Sequence, residues 1–401
     1  MAEPQTDARL ERSDRSASLT SRQFDWDPQS ASVTRDQRAA YDEMRERCPV
    51  ARSESAGWSL FRHADIMQVL LDPNTFSSAV STHVAIPNGM DPPDHTRYRH
   101  MIEWYFDPDR VALFEPACRD VAIELVGRAL RQPMVEAMAE LAEPFAVTVQ
   151  CIFMGWPRAI QTRLLDWTRR NEAAIRAQDR PAIAVLAAEF EALIAELLEE
   201  RRRGATGQPE DTTASLMQES VDGRLLDNEQ IANILRNWTV GEIGTIASAA
   251  GIVLRELAFN PGRQSQLRAM PAHIVSAVDE ILRVNGPLVM NRRVTTRPVE
   301  IGGRAIEAGE RISLMWIAGN RDPLAFDHPD EVRMDRDPAL NLLYGAGIHA
   351  CPGAPLARME LRVLVEEVLR LTSEVQPDST RPTEIATYPS SGWNTLPLRF
   401  R

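Results

Sequence analysis

The stretch YGAGIHACPGAPLARMELRVLVEEVLR, running from Tyr344 to Arg370, decides how this chain is read. Its first part is a loop rich in glycine (Gly345, Gly347, Gly353) around one cysteine, Cys351. Its second part carries Leu356, Met359, Val363 and Leu364 at helical spacing, which predicts an amphipathic helix directly after the loop. Cys351 is expected at the N-cap, with Pro352 at the first helical position, where a missing N–H costs nothing. A thiolate there faces the positive end of the helix dipole, which lowers its pKa. Gly347 and Gly353 let the backbone turn tightly enough for amides to point at the sulfur. A lone cysteine is ordinarily a buried structural residue, so the surrounding pattern has to carry the case for chemistry.

The chain has 401 residues, 44% of them hydrophobic and 25% charged, an ordinary globular composition. A formal net charge of −12 argues against nucleic acid as the principal partner. Length alone suggests two or three domains, but no Pro/Gly/Ser linker divides the chain, so one large domain over residues 25–401 is expected. Residues 1–24 are polar and highly charged and read as a flexible tail without the apolar core of a signal peptide. Nowhere do eighteen apolar residues run together, so no membrane span is expected, and the chain reads as a soluble cytoplasmic protein. Cys48, Cys118, Cys151 and Cys351 are widely separated and form neither a disulfide framework nor a zinc pattern, which suits a reducing compartment.

Working outward from the loop, the chain is mainly α with a smaller β-rich region late in the sequence. Residues 173–203 place Phe190, Leu193, Ile194, Leu197 and Leu198 on one face, predicting a long amphipathic helix, and 204–212 reads as a surface loop. Residues 228–258 predict a more apolar helix, with Asp227 as N-cap and Glu229 and Gln230 in its first turn. From Arg292, apolar and polar residues alternate around Gly302-Gly303 and Gly309, predicting short antiparallel strands. A last strand pair is expected in GWNTLPLRF.

With Gly347, His349, Cys351 and Gly353 in register, the loop resembles the haem-binding loop of the cytochrome P-450 family, Phe-x-x-Gly-x-x-x-Cys-x-Gly with His or Arg two residues before the Cys. Tyr344 stands where the family has Phe, keeping the aromatic face and adding a hydroxyl that needs a partner. The resemblance covers nearly the whole chain. It implies a single-domain cytochrome P-450 fold, b-type haem with Cys351 as axial thiolate and metal ligand, and Tyr344 and Gly353 against the cofactor.

Other motifs fall in the family's order. Glu280 and Arg283 lie three apart on one helical face, an arrangement common in surface ion pairs. In the family such a pair is buried and braces the cysteine loop with an arginine from further on. Arg336 is the first candidate for that third member and Arg333 the second. Arg293, beside Arg292, resembles the arginine that holds a haem propionate. His95 and Arg99, four apart, resemble the family's pair at the propionates. With His349 they make a cationic set matched to two carboxylates held inside protein. The stretch 320–329, NRDPLAFDHP, resembles a structural signature of the family.

The family threads a long helix over the distal face of the haem, with the motif Ala/Gly-Gly-x-Asp/Glu-Thr. The matching segment is WTVGEIGTIASAAG, with Thr245 in the threonine position. Gly241 takes the small-residue position. Glu242 stands where Gly is usual, and Gly244 where the acid is usual. Two readings of Glu242 remain open: a displaced acid that relays protons, or a local structural group beside a Thr245 that works with ordered water. By position, Val84, Ile86, Trp238, Val240, Gly241, Leu288, Val289 and Trp393 are expected to line the substrate pocket, with Asn291 and Asn394 orienting a polar group. The pocket is thus expected to be mostly apolar, for a medium-sized hydrophobic small molecule. The resemblance implies a monooxygenase that uses O2 and takes electrons from a separate ferredoxin and its NAD(P)H-dependent reductase, because no flavin- or NAD-binding segment is visible. A haem-thiolate enzyme that uses peroxide or couples radicals is the alternative permitted by the empty acid position. A non-enzymatic haem sensor is a third, more remote reading.

Overall fold

The computed structural model describes residues 24–81, 84–204 and 211–401. The expected N-terminal tail and most of the 204–212 loop therefore lie outside the described residues. Helices α1 (Asp94–Glu103), α2 (Pro108–Ala129), α3 (Glu143–Met154), α4 (Gln161–Arg176), α5 (Arg180–Arg202), α6 (Asn228–Phe259), α7 (Ile274–Val284) and α8 (Ala354–Leu371) supply most of the core. None of the described helices is long and apolar enough to cross a membrane.

α6 starts where its sequence says it should. Asp227 accepts a hydrogen bond from the Gln230 N–H at 2.8 Å, and the Gln230 side chain accepts from the Asp227 N–H at 3.0 Å, a complete capping box. The helix runs 32 residues to Phe259. The helix expected over 173–203 is instead two. Gln178 adopts φ 54°, and Asp179 caps α5 by accepting from the Ala182 N–H at 3.0 Å. Pro181 sits in the first turn of α5, where it cannot continue a preceding helix. The apolar face from Phe190 to Leu198 is buried as expected.

The main sheet holds β1 (Val50–Ser53), β2 (Gly57–Leu60), β3 (Phe76–Ser77), β4 (Met290–Thr295) and β5 (Arg311–Met315) in the order β1-β2-β5-β4-β3. Only β2–β5 is parallel. Between β4 and β5, the strands Val299–Ile301 and Arg304–Ile306 form a hairpin whose turn is Gly302-Gly303, both at positive φ, as a two-residue hairpin requires. The strands expected in GWNTLPLRF exist but do not pair with each other. Trp393–Thr395 pairs with Glu384–Ile385, and Pro397–Phe400 sits between Val375–Pro377 and Val135–Glu136. The strand partners lie elsewhere in the chain, so local alternation did not reveal them.

Candidate active site: a cysteine loop under a long helix

The cysteine loop is built from two short 3₁₀ turns, Leu342–Tyr344 and Gly347–His349. It is closed by the Cys351 N–H donating to the Tyr344 carbonyl at 2.8 Å. Gly347 is at φ 68° with the Leu70 carbonyl pressed against the place a Cβ would take, so no other residue fits there without strain. The helix begins two residues later than expected: Gly353 is the N-cap and Ala354 the first residue of α8, because Cys351-Pro352-Gly353 is taken up by a turn that the Ala354 N–H closes onto the Cys351 carbonyl. The amides of Gly353 and Ala354 still reach the sulfur. Burial nevertheless pushes the Cys351 thiol up, against the pull of the Gly353 amide and with the help of nearby Glu242. Desolvation here outweighs the dipole effect expected from the sequence. Yet the Cys351 residue keeps an exposed surface.

Glu280, Arg283 and Arg336 meet in one network. The Arg283 Nε donates to Glu280 Oε1 at 2.8 Å and the Arg336 Nε to Glu280 Oε2 at 3.1 Å. Arg333 contributes only its backbone N–H, at 3.2 Å. Arg283 is fully buried and also donates to the carbonyls of Asn320 (2.6 Å), Pro329 (2.8 Å) and Glu331 (3.0 Å). The Asn320 side chain in turn accepts from the Leu342 N–H at 2.8 Å, tying α7 to the start of the cysteine loop. A second tie is the Arg358–Asp279 ion pair at 2.9 Å, with the Arg358 guanidinium 4.4 Å from the centre of the Tyr344 ring. The Tyr344 hydroxyl is buried without a partner.

The residues of the expected cationic set converge, but burial keeps charge off its two histidines. The His95 and His349 rings are 4.2 Å apart. Arg293 is buried, and its charged form is disfavoured by desolvation. Burial, then Arg293, His95 and Arg99, hold His349 down to about 3. Burial, with Arg99 and Arg293 adding to it, also lowers His95, whose Nε2 is buried without a partner. Asp91, which accepts from the Ser78 N–H at 2.8 Å, is the nearby carboxylate that favours charge on Arg293 and His95. Arg99 donates to Glu103 at 2.7 Å. Arg293 is a buried cation whose guanidinium donates to the Arg292 carbonyl, and burial disfavours charge on the His95 and His349 rings beside it. A buried charge calls for an opposite one, so Arg293, the orphaned His95 nitrogen and the Cys351 thiol fit a haem with its two carboxylates.

α6 carries the other wall. Gly241 and Val240 are exposed in mid-helix, and a cavity of about 530 Å³ is lined by Val240, Ile243, Gly244, Thr245, Leu288, Asn291, Trp393 and Asn394. Arg169, Glu172, Arg176 and Arg292 also line it, so it is less apolar than expected. The remaining pocket candidates take other places. Trp238 packs against Tyr105 and Phe106, about 200° around the helix from Val240. Val289 points into the core with Trp26 and Phe61, opposite its extended neighbour Leu288. Ile86 is core, held by Asn233 and Asn237 through its backbone, while Val84 and Gly241 lie outside the cavity lining.

Glu242 does not share the cavity with Thr245. Its carboxyl is buried against Glu360 of α8, and burial raises the pKa of both; Glu242 further raises Glu360. Burial of two carboxyls side by side favours the protonated form of the pair. Sequence reading missed Glu360, although the signal was there: it lies four residues after Leu356, on the apolar face of α8.

A family model for cytochrome P-450 matches residues 176–399. The chain is 31% identical over 374 residues to the cyclomarin C epoxidase CymV of Salinispora arenicola, covering 90% of this chain and 94% of that one. It is 31% identical over 338 residues to the erythromycin C-12 hydroxylase of Saccharopolyspora erythraea, covering 81% and 84%. The solved structure of a mutant of P-450 EryK with erythromycin B superposes with a TM-score of 0.82 at 29% identity, covering 91% of this chain and 96% of that one. The chain belongs to the cytochrome P-450 family of haem-thiolate monooxygenases.

Proposed function

We propose that this chain inserts one oxygen atom from O2 into a medium-sized, mostly hydrophobic small molecule bound in the cavity beside Thr245. Its electrons come from a separate ferredoxin and NAD(P)H-dependent reductase in the cytoplasm. The observation that carries this reading is Cys351: a desolvated yet accessible thiol held under the Gly353 and Ala354 amides, with Glu242 of α6 and Arg99 close enough to act on its charge. Haem b held by Cys351 would supply the activation and cleavage of O2. Cys351 anchors it, and the Gly353 and Ala354 amides temper the charge on the sulfur. His95, Arg99, Arg293 and His349 pair with its carboxylates, while Tyr344 and Gly353 pack at the loop. Glu280, Arg283 and Arg336 keep the loop in place. Thr245 presents a hydroxyl to the cavity for proton transfer. Asn291 and Asn394 are positioned to orient a polar group of the substrate among Val240, Leu288 and Trp393. The relatives named as an epoxidase of cyclomarin C and a hydroxylase of erythromycin favour a natural-product substrate.

The test is spectroscopic. The reduced CO complex should carry the red-shifted Soret band of a thiolate ligand, and Cys351→His should abolish it. Persistence of that band in the variant would remove Cys351 from the assignment. The competing reading, direct use of peroxide, draws on the missing acid at Gly244. Product formed with peroxide alone, and none with NAD(P)H plus ferredoxin and reductase, would favour it.

A further inference from the structure

Resting on the monooxygenase reading, we propose that Glu172 of α4 supplies, from across the helix interface, the carboxyl that α6 lacks at Gly244, and that it delivers protons toward Thr245 in the distal cavity. A Cβ built on Gly244 would come 2.5 Å from Glu172 Oε1. The carboxyl of α4 thus occupies the volume where a side chain of α6 at this position would begin. Glycine inside a helix is unfavourable, and here the close approach of Glu172 gives it a reason. Glu172, Gly244 and Thr245 line the same cavity.

The state of the α6 hydroxyls points the same way. Thr239 donates to the Leu235 carbonyl and Ser248 to the Ser391 carbonyl, each at 2.7 Å. Among the described residues Thr245 has no such partner, and its hydroxyl is free to serve the cavity. Two other carboxyls compete for the role. Glu242 is turned to Glu360 and absent from the cavity lining. Glu143 lines the cavity but is ion-paired with Arg169.

The charged groups facing Glu172 are Glu143 of α3 and Arg169 and Arg176 of α4 itself, with Arg292 of β4 also in the cavity wall. Burial, then Glu143, raises the Glu172 pKa, and Arg176 and Arg169 oppose this. A donor whose pKa approaches the working pH transfers protons best. Arg169 and Arg176, one turn away on either side along the same face, are exposed. Glu172 therefore lies between solvent and cavity, where it can reload.

The balance is RH + O2 + 2 e⁻ + 2 H⁺ → ROH + H2O, the electrons entering from the ferredoxin-class donor. Glu172 gives up a proton toward Thr245, with cavity water as carrier, and regains one from solvent, so it ends each turnover unchanged. Without guided delivery the same electrons leave by O2 + 2 e⁻ + 2 H⁺ → H2O2.

The experiment uses holoprotein. Glu172→Gln should cut product formation by about 10²-fold, the low end for a general acid. Most NAD(P)H electrons should then go to H2O2 and the solvent isotope effect should grow, while KM stays within about twofold, the pattern of a lost transition-state role. Infrared pH-difference spectra of the resting protein should show a carboxyl band that is missing in E172Q and displaced in Gly244→Ala, whose Cβ intrudes on Oε1. The double variant E172A/G244D should recover coupling relative to E172A, because the acid is relocated to α6. Wild-type coupling and isotope effect in E172Q would overturn the proposal. A raised KM with coupling intact would also overturn it, by making Glu172 an anchor for a cationic substrate. If E172Q keeps the thiolate CO band, such a failure belongs to Glu172 alone; absence of the band from the wild type refutes the underlying reading and this one with it.

Discussion

Replacing Glu280 by alanine removes the one carboxylate that holds both Arg283 and Arg336, at 2.8 and 3.1 Å. Arg283 has no exposed surface, so its charge cannot be rehydrated without opening the structure. Its remaining bonds to the carbonyls of Asn320, Pro329 and Glu331 solvate the guanidinium in part but do not neutralise it. Removing one partner of a buried ion pair costs about 3–5 kcal/mol, against about 5–15 kcal/mol of total stability for a typical domain. The damage should spread to the cysteine loop, because Arg283 holds the Asn320 backbone and Asn320 holds the Leu342 amide. Glu280→Ala should therefore unfold at clearly lower urea concentration and retain little haem. Glu280→Gln keeps the acceptor oxygen and should fall between the two. The assay is a urea titration read by circular dichroism, with haem content measured per chain. A Glu280→Ala protein with wild-type midpoint and full haem loading would refute the argument that the buried pair braces the loop.

Two further outcomes follow from other parts of the molecule. Thr245→Ala should keep NAD(P)H consumption while diverting it to H2O2, measured as peroxide per NAD(P)H; unchanged coupling would take the hydroxyl out of proton transfer. Asp378 is held down to about 2 by the Thr380 hydroxyl, then Arg399 and the Thr380 amide. Its stabilisation is thus present above the ordinary aspartate pKa of about 3.9 and is lost as pH falls through about 2. Asp378→Asn should be less stable than wild type at neutral pH, with the gap in urea midpoint closing as the pH drops below about 4. A gap that does not change with pH would mean that the carboxylate's charge contributes nothing.

The sequence by itself determined the features whose parts are contiguous or set by the backbone. The cysteine loop is one: its glycine-rich turns and the apolar stripe of α8 follow from neighbouring residues, although the helix starts two residues beyond Pro352. So do the Asp227 capping box, the Gly302-Gly303 hairpin and the i, i+3 spacing of Glu280 and Arg283. Even there, burial was invisible, and the Cys351 thiol is raised rather than lowered because desolvation depends on everything packed around it. Tertiary structure alone decided which distant residues meet. It chose Arg336 over Arg333 by bringing the Arg336 guanidinium to Glu280 Oε2. It turned Glu242 toward Glu360, put Trp238 and Val289 into the core, and gave Pro397–Phe400 a partner as far back as Val135–Glu136. It also set the Glu172 carboxyl against Gly244, a contact with no local signature: a glycine in a helix records only that a side chain is missing. What fills that space depends on how α4 crosses α6, which is settled by packing over the whole helix surface.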